Sequence, residues 1–178
     1  FWGANEQDLQ WIEERDWKYR CTFTAGPDFF DHEHIDLVAD GLDTFAVIRL
    51  NGREIARTDN MFLGHRLSVT GLVKRGKNRL EIDFGSPMTV IRERAKTWEV
   101  KEWNDPVGGS SLVRKEQCAF GWDWGPRFVT SGIHKAIRLE GWTGARFESV
   151  RLRQVHHKDV VEIAVDPVLV GRGKVRGI

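Results

Sequence analysis

Apolar and polar side chains alternate along most of this chain, and this period of two constrains its fold more than any other feature. Residues 17–23 place an apolar side chain at every second position: Trp17, Tyr19, Cys21 and Phe23. Because successive side chains of a β-strand point to opposite faces, the pattern predicts a half-buried antiparallel strand. Similar segments recur at residues 34–40, 43–50, 53–58, 65–72, 78–84, 132–139, 149–155 and 160–165. The chain is therefore predicted to be all-β.

A tight turn is predicted between two of these segments. Asn51-Gly52 separates two apolar runs, and both residue types tolerate the positive φ that a two-residue hairpin turn requires. Short strands at regular spacing, joined by such turns, indicate a β-sandwich or a jelly roll.

Two stretches depart from the alternation. Residues 5–14 begin with a candidate N-cap, Asn5, and predict a short helix. Residues 87–109 predict a long loop or insertion with a helical piece at 88–98, and long loops in compact domains are often functional.

A second domain is predicted to begin towards the C-terminal end. Residues 141–145 (GWTGA) form a break of small residues, so we assign residues 1–143 to the first domain and residues 144–178 to the second. The second segment supplies only two or three strands, which cannot bury a core of their own. Together with a first residue other than methionine, this predicts that the chain is a piece of a longer protein.

Composition argues against several classes of protein. The 178 residues include 27 Lys and Arg and 26 Asp and Glu, for a net charge of +1, so no nucleic-acid partner is expected. No apolar run reaches the roughly eighteen residues that a membrane span needs. Two cysteines fit neither a disulfide framework nor a zinc site, which favours a reducing compartment such as the cytoplasm, although a single bridge stays open. Cys21 shares a strand face with Tyr19 and Phe23 and is expected to be buried, whereas Cys118 is expected to be accessible.

Most motifs that carry chemistry are absent. The sequence has no phosphate-binding glycine loop, no nucleophile elbow and no metal-ligand spacing, so neither a cofactor nor a metal is expected. The neighbours His156 and His157 would point to opposite faces of a strand and are interpreted as surface residues. The acidic run at 28–36 (DFFDHEHID) could form the paired carboxylates of a glycosidase, but a solvated turn is preferred because nothing fixes a partner.

An aromatic stretch is the most distinctive part of the sequence. The chain has eight Trp, of which four fall between positions 98 and 124: Trp98, Trp103, Trp122 and Trp124. Residues 113–126 (VRKEQCAFGWDWGP) place Asp123 between two indoles, with Gly121 and Gly125 on either side. A carboxylate between aromatic surfaces suits a sugar, since the acid accepts hydrogen bonds from hydroxyl groups while the indole faces pack against the ring.

Two interpretations of this motif remain open on sequence grounds. Arg114 and Lys115 are close along the chain and could keep Asp123 ionised, which favours a binding site. Alternatively, both Trp side chains belong to the core of a sandwich corner and Asp123 caps a turn. Spacing alone does not decide between them.

Five segments carry a resemblance to a known family: LQWIEERDWKYRCTF (9–23), GLDTFAVIRLNG (41–52), NMFLGHRLSV (60–69), RKEQCAFGWDWGP (114–126) and GIHKAIRLE (132–140). Over nearly its whole length the chain resembles the N-terminal domain of the β-mannosidases of glycoside hydrolase family 2. The Trp-Asp-Trp-Gly-Pro run is the specific part, because the strand segments alone would indicate only the wider family with its β-galactosidases and β-glucuronidases.

The resemblance implies a galactose-binding-like jelly roll, then an immunoglobulin-like sandwich that starts at 144–178, then a barrel with two catalytic glutamates. The chain would then hold no catalytic residue and be inactive alone, as part of a retaining, exo-acting β-mannosidase. Asp123 matches the position that contacts the terminal sugar, and Trp122, Trp124 and Arg114 complete the predicted substrate-binding residues. The implied partners are a β-mannoside carbohydrate and the enzyme's own catalytic barrel. Domains of this family usually begin with a further edge strand, so an open sheet edge is expected here.

Other functions remain as alternatives. The same jelly roll could be a stand-alone carbohydrate-binding module, or the equivalent domain of a related β-galactosidase or β-glucuronidase. It could also be a purely structural brace in which the Trp-Asp-Trp motif is packed inside. Continuation of the protein into a barrel would favour the first assignment.

Overall fold

The computed structural model describes residues 3–102 and 105–172. Within these ranges the chain forms eleven strands: β1 (Trp17–Ala25), β2 (His34–Ala39), β3 (Leu42–Asp43), β4 (Phe45–Leu50), β5 (Arg53–Asp59), β6 (His65–Ser68), β7 (Gly76–Gly85), β8 (Gly132–Ile133), β9 (Ile137–Trp142), β10 (Ala145–His156) and β11 (Val161–Gly171). Two α-helices, α1 (Asn5–Asp8) and α2 (Pro87–Ala95), accompany four 3₁₀ turns, at Gln10–Glu14, Pro27–Asp31, Ser110–Leu112 and Gln117–Phe120. In the described ranges, no helix has both the length and the apolar character needed to cross a membrane.

The strands build two antiparallel sheets. The first has the order β1-β7-β4-β5 and the second has the order β6-β2-β9. Two further pairs, β3-β8 and β10-β11, are two-stranded ribbons. The predicted all-β fold is therefore confirmed.

The main core is formed by inward-facing side chains of both sheets. It includes Leu37 from β2, Ile48 and Leu50 from β4, and Ile82 and Phe84 from β7. These side chains are almost completely removed from solvent. Since burying one such side chain contributes roughly 1.5–3 kcal/mol, this layer is the main source of hydrophobic stabilisation.

The predicted hairpin turn is present. Asn51 and Gly52 have φ values of 53° and 83° and connect β4 to β5. Positive φ at both central positions is what a type I′ turn requires, and Asn-Gly tolerates it well. The Asn51 amide also donates to the Leu72 carbonyl (2.8 Å) and to Asn78 Oδ1 (2.9 Å), which ties this turn to the one before β7.

Two predicted strands are interrupted. Residues 43–50 divide into β3 and β4 at Thr44, and residues 132–139 divide into β8 and β9. The first break lets the chain change partners, since β3 pairs with β8 whereas β4 pairs with β5 and β7. At this break the buried Asp43 carboxylate accepts hydrogen bonds from Thr44 Oγ1 and Lys115 Nζ. The partner lysine is distant in sequence, so the alternation could not reveal the break.

The helix predicted at 5–14 is shorter than expected. α1 ends at Asp8, and Gln10–Glu14 continue as a 3₁₀ turn. The N-cap is Ala4 rather than Asn5, and no side chain caps this helix. Without a side-chain cap, the first backbone N–H groups lack an acceptor that stabilises a longer helix.

The stretch predicted as a long loop contains a second, smaller core. α2 begins after Ser86, whose Oγ accepts from Thr89 N–H (3.4 Å) and donates to the Glu13 carbonyl (2.5 Å). Five buried side chains from this helix and the following segment pack together: Met88, Ile91, Val113, Phe120 and Val129. The predicted helical piece is confirmed, and the segment after it is anchored to the domain by this core.

The prediction that Cys21 is buried is wrong. Cys21 and Cys118 are both exposed, as was expected only for Cys118. The reason is that β1 is the edge strand of its sheet. Cys21 lies in an apolar groove of about 380 Å³ between β1 and β9, beside Phe23 and Ile137. The alternation indicates which face Cys21 occupies, but not that this face ends at an open sheet edge.

The Asn78 side chain organises the turn before β7. It is 1% exposed; its amide donates to the Lys74 and Gly76 carbonyls (2.8 and 3.0 Å), and its oxygen accepts the Lys74 N–H (2.8 Å). We predict that Asn78→Ala lowers the free energy of unfolding by roughly 1–3 kcal/mol, because buried polar groups lose their partners. Urea denaturation measures this change. Asn5→Ala at the exposed start of α1 is the control and should alter it by less than about 0.5 kcal/mol; an equal loss in both variants would contradict the prediction.

Candidate functional site

The Trp-Asp-Trp-Gly motif forms a tight two-residue turn. Trp122 N–H donates to the Gly125 carbonyl (3.1 Å), and Gly125 N–H donates to the Trp122 carbonyl (3.3 Å). Asp123 and Trp124 therefore form the tip. Gly121, with a φ of 99°, enters the turn in a backbone conformation that residues with a Cβ disfavour.

The tip presents its side chains to solvent. Trp122 is 42% exposed, Trp124 is 74% exposed, and Asp123 is exposed between them. Among the described residues, the Asp123 carboxylate has no hydrogen-bond or ion-pair partner. The interpretation with two core indoles and a turn-capping Asp123 is therefore wrong. A free carboxylate between two indoles keeps its acceptor sites available to a ligand.

The two basic residues before the motif lie in different environments. Lys115 is 2% exposed, and its ammonium donates to Asp43 and to the Thr130 carbonyl (2.9 Å). The expectation that Lys115 keeps Asp123 ionised is wrong, because it neutralises a buried carboxylate of β3 instead. Arg114 is exposed, and in the described part of the chain its guanidinium makes no ion pair, so a ligand can reach it.

The acidic run at 28–36 does not form a comparable site. Asp36 is buried and accepts hydrogen bonds from Arg66 Nη1 (3.1 Å) and Trp142 Nε1 (2.9 Å), so it belongs to an ion pair of the second sheet. Asp28 is exposed in a 3₁₀ turn. The preferred interpretation as a solvated turn is confirmed for Asp28 and is wrong for Asp36, which lies buried in β2.

Sequence analysis did not single out Arg127, a buried arginine just after the turn. Its guanidinium donates Nε and Nη2 to Glu13 (3.2 and 3.0 Å), and Nη1 to Asp105 (2.7 Å) and to the Phe120 carbonyl (3.3 Å). Only 4% of the residue is exposed. No local pattern marks such an arginine, because most arginines lie at protein surfaces. The one sequence feature that could have drawn attention to Arg127 is its position, two residues after the Trp-Asp-Trp-Gly motif.

A second carboxylate organises the loop beside the turn. Glu102 accepts hydrogen bonds from the Gly109 and Ser111 N–H groups and from Ser110 Oγ (3.1 Å). Burial by itself would raise the pKa of Glu102, but these donors outweigh burial and hold the pKa below its usual range. With its oxygens occupied by internal donors, Glu102 shapes the loop.

A depression of about 240 Å³ lies between this loop and the base of the turn. Its lining combines an indole with charged and polar groups, among them Lys101, Glu102, Ser111, Gln117 and Trp122. Aromatic surface with convergent polar groups suits a hydroxylated ligand. Trp98 of the aromatic stretch is exposed, and Trp103 lies outside the described residues. Over the described ranges, no group of three His, Cys, Asp or Glu side chains could hold a metal ion.

Residues 1–135 match the family described as the glycosyl hydrolase 2 galactose-binding domain-like family. The chain belongs to this family. The match contains the whole Trp-Asp-Trp turn and all strands of the first sheet. It confirms the predicted resemblance and shows that the sandwich is a galactose-binding-like jelly roll.

Curated relatives of similar sequence are β-mannosidases. The β-mannosidase B of Emericella nidulans is 38% identical over an alignment of 179 positions, which covers 97% of this chain and 21% of that protein. The β-mannosidase of Capra hircus is 35% identical over 80% of this chain and 17% of its own length. The chain thus spans about a fifth of the length of these relatives.

Solved structures share the fold. The β-D-mannosidase of Dictyoglomus thermophilum matches with a TM-score of 0.87 at 39% identity, over 95% of this chain and 21% of that one. A β-glucuronidase of Ruminococcus gnavus matches with a TM-score of 0.61 at 15% identity, over 88% of this chain and 24% of that one. The second comparison shows the fold alone.

The contacts of Glu102 predict a dependence of stability on pH. A carboxyl whose pKa is lower in the folded than in the unfolded state stabilises the fold above its unfolded pKa, near about 4.3 for Glu, and this contribution is lost as the pH falls through the lower folded value. We predict that Glu102→Gln lowers Tm at about pH 7 and flattens the fall of Tm on acidification. Thermal unfolding across the acidic range measures this, with the exposed Glu99→Gln as the control. A Tm profile of Glu102→Gln parallel to that of the unmodified protein would contradict the prediction.

Proposed function

We propose that this chain is the non-catalytic N-terminal domain of an exo-acting β-mannosidase. In this proposal it contributes four residues to the subsite for terminal β-D-mannose: Asp123, Trp122, Trp124 and Arg114. The observation that carries the proposal is the exposed, unpartnered Asp123 carboxylate, flanked along the chain by two exposed Trp residues. Relatives named β-mannosidases, at 35% and 38% identity, support a mannoside as the substrate.

The turn supplies the two kinds of contact that a pyranose needs. Sugar hydroxyls are donors that an ionised carboxylate accepts, and such charge-assisted bonds contribute roughly 1.5–3 kcal/mol each. The apolar face of the ring packs against an indole. The Arg114 guanidinium, a donor only, complements the carboxylate by donating to hydroxyl oxygens. In this proposal the four residues bind and orient the sugar.

The bond-breaking chemistry is assigned elsewhere in the full-length enzyme. A retaining glycosidase uses one carboxyl as nucleophile and a second as acid/base, about 5–5.5 Å apart. Among the acids near the turn, Glu13 and Asp105 are buried ion-pair partners of Arg127, and the oxygens of Glu102 are occupied by donors of its own loop, so these three are not available for either role. The catalytic glutamates therefore belong to a barrel domain in this proposal, and the chain alone is expected to be inactive.

The β10-β11 ribbon supports a second domain at 144–178. Cross-strand neighbours such as Leu152 and Val165 place aliphatic side chains on one face, whereas Arg153 and Asp166 form an ion pair (2.9 Å) on the other. The aliphatic face is exposed and includes Val150, Leu152, Val161, Ile163 and Val165. Because a two-stranded ribbon is marginally stable by itself, this face needs a further layer. We assign the ribbon as the first hairpin of an immunoglobulin-like sandwich, whose second sheet would cover it.

Three alternative functions can be compared with the structure and with the similar proteins. A stand-alone carbohydrate-binding module would bind glycan through the turn without a barrel. The equivalent domain of a β-glucuronidase has the same fold, but the β-glucuronidase comparison stands at 15% identity against 39% for the Dictyoglomus thermophilum β-D-mannosidase. The brace with a packed motif is contradicted by the exposure of both Trp122 and Trp124.

Replacement of Asp123 in the full-length enzyme tests the site. We predict that Asp123→Ala lowers kcat/KM by roughly tenfold to a few hundredfold per hydrogen bond lost, because about 1.4 kcal/mol corresponds to a factor of ten. Tm should change little, since no described residue is a partner of this carboxylate. Asp28→Ala removes another exposed carboxylate and should leave both quantities unchanged. A lower Tm with unchanged kcat/KM would contradict the assignment of Asp123 as a sugar-binding residue.

The isolated chain should bind free mannose weakly or not at all. Its turn touches a sugar from one side, whereas ligand pockets commonly bury about 70–90% of a ligand's surface. Titration calorimetry with mannose should detect no binding of micromolar affinity by the chain. Clear micromolar binding would support the stand-alone module instead.

A further inference from the structure

We propose that Arg127 is a positioning residue for the sugar site, because its buried guanidinium fixes the turn at 122–125 and so sets the place of the Asp123 carboxylate. This inference rests on the proposed function and adds a residue that acts through Asp123. Arg127 is 4% exposed and fully engaged with the protein, so it cannot itself bind a sugar.

The guanidinium closes the base of the turn. Phe120 and Arg127 lie on the two sides of residues 121–126. The Arg127 side chain links them, because its Nη1 donates to the Phe120 carbonyl (3.3 Å). One step further from the tip, Phe128 N–H donates to the Ala119 carbonyl (2.9 Å). These two hydrogen bonds therefore hold the two ends of the segment 121–126 together.

Two carboxylates from other parts of the chain hold the guanidinium. Glu13, before β1, accepts Nε and Nη2 as a bidentate pair, and Asp105, after α2, accepts Nη1. The side chains of Arg127, Glu13 and Asp105 are 5%, 8% and 3% exposed. Separating one member from the others would leave an uncompensated buried charge, which favours the arrangement in which all three side chains are paired.

Further contacts restrict both the side chain and the backbone of Arg127. The guanidinium lies over the Phe120 ring, 5.4 Å from its centroid, and Nη2 contacts the Met88 sulfur at 3.5 Å. The Arg127 N–H donates to Glu6 (2.7 Å), and its carbonyl accepts Gln10 Nε2 (3.0 Å). Lysine cannot reproduce this pattern, because its ammonium is a compact charge without the planar fork of donors.

The tip depends on this base for its position. Asp123 has no partner among the described residues, so no contact of its own fixes the carboxylate. A displacement of about 1 Å in a binding group can cost about a hundredfold in rate. Holding the base rigid is therefore the means by which the domain can present Asp123 at a defined place.

A double-mutant cycle in the full-length enzyme tests the inference. Arg127→Lys keeps the charge but loses the fork, and we expect it to lower kcat/KM by about tenfold when Asp123 is present. In the Asp123→Ala background the same change should lower kcat/KM by clearly less, because only the indoles of Trp122 and Trp124 are then left to misplace. Asn78→Ala is the control for lost stability, since it breaks a buried network at the start of β7, whereas α2 follows the other end of that strand. It should lower Tm and leave kcat/KM unchanged.

The outcomes separate this inference from the proposed function. Equal losses in both backgrounds, or no loss with Arg127→Lys, would overturn the positioning role; the proposed function would stand, because Asp123→Ala alone still lowers kcat/KM. An unchanged kcat/KM in Asp123→Ala would remove the proposed function and this inference with it. If Arg127→Lys does not fold, Glu13→Gln takes its place in the cycle, since it weakens the bidentate pair at nearly constant volume, and the same coupling to Asp123 is expected.

Discussion

The buried guanidinium of Arg127 joins parts of the chain that are far apart in sequence. Glu13 comes from the N-terminal turns, Asp105 from the loop after α2, and Phe120 from the segment just before the Trp-Asp-Trp turn. Moving such ions out of water is costly, and the cost is offset here because each of the five N–H donors of the guanidinium has an acceptor. These contacts attach the base of the turn to the sandwich through a buried network of ion pairs.

A second buried ion pair anchors the residues that precede the Trp-Asp-Trp turn. Lys115 precedes the turn and pairs with Asp43 at the break between β3 and β4. Buried charges therefore anchor the chain on both sides of the turn, while Arg114 and Asp123 remain exposed. The adjacent residues Arg114 and Lys115 thus differ in environment: Arg114 faces solvent, and Lys115 is buried in an ion pair with Asp43. Closeness in sequence to Asp123 could not distinguish them.

The features that could be predicted from sequence are those that depend on neighbouring residues. Alternation and the Asn51-Gly52 dipeptide are local, so strands and their hairpin could be located, and the distinctive motif around Asp123 could be singled out. The break at Asp43, the exposure of Cys21 at a sheet edge and the Arg127 network all depend on segments that meet only in the fold. Arg127 and Glu13, for instance, are 114 residues apart. The exposure that decides between a core motif and a binding motif is likewise a tertiary property.

The free energy that the Asp123 carboxylate can contribute to sugar binding depends on whether water surrounds it. In the chain alone it faces water, so a hydrogen bond to a sugar hydroxyl replaces one to water and the net gain is small. If a second domain excludes water from the tip, as the proposed barrel would, the same bond is formed in a medium of lower dielectric constant and becomes stronger. The attachment of the turn through Arg127 would then matter most. A carboxylate that could move back into solvent would lose the stronger hydrogen bond. Pre-positioning by the sandwich and exclusion of water by a neighbouring domain are therefore two complementary requirements of one binding contact.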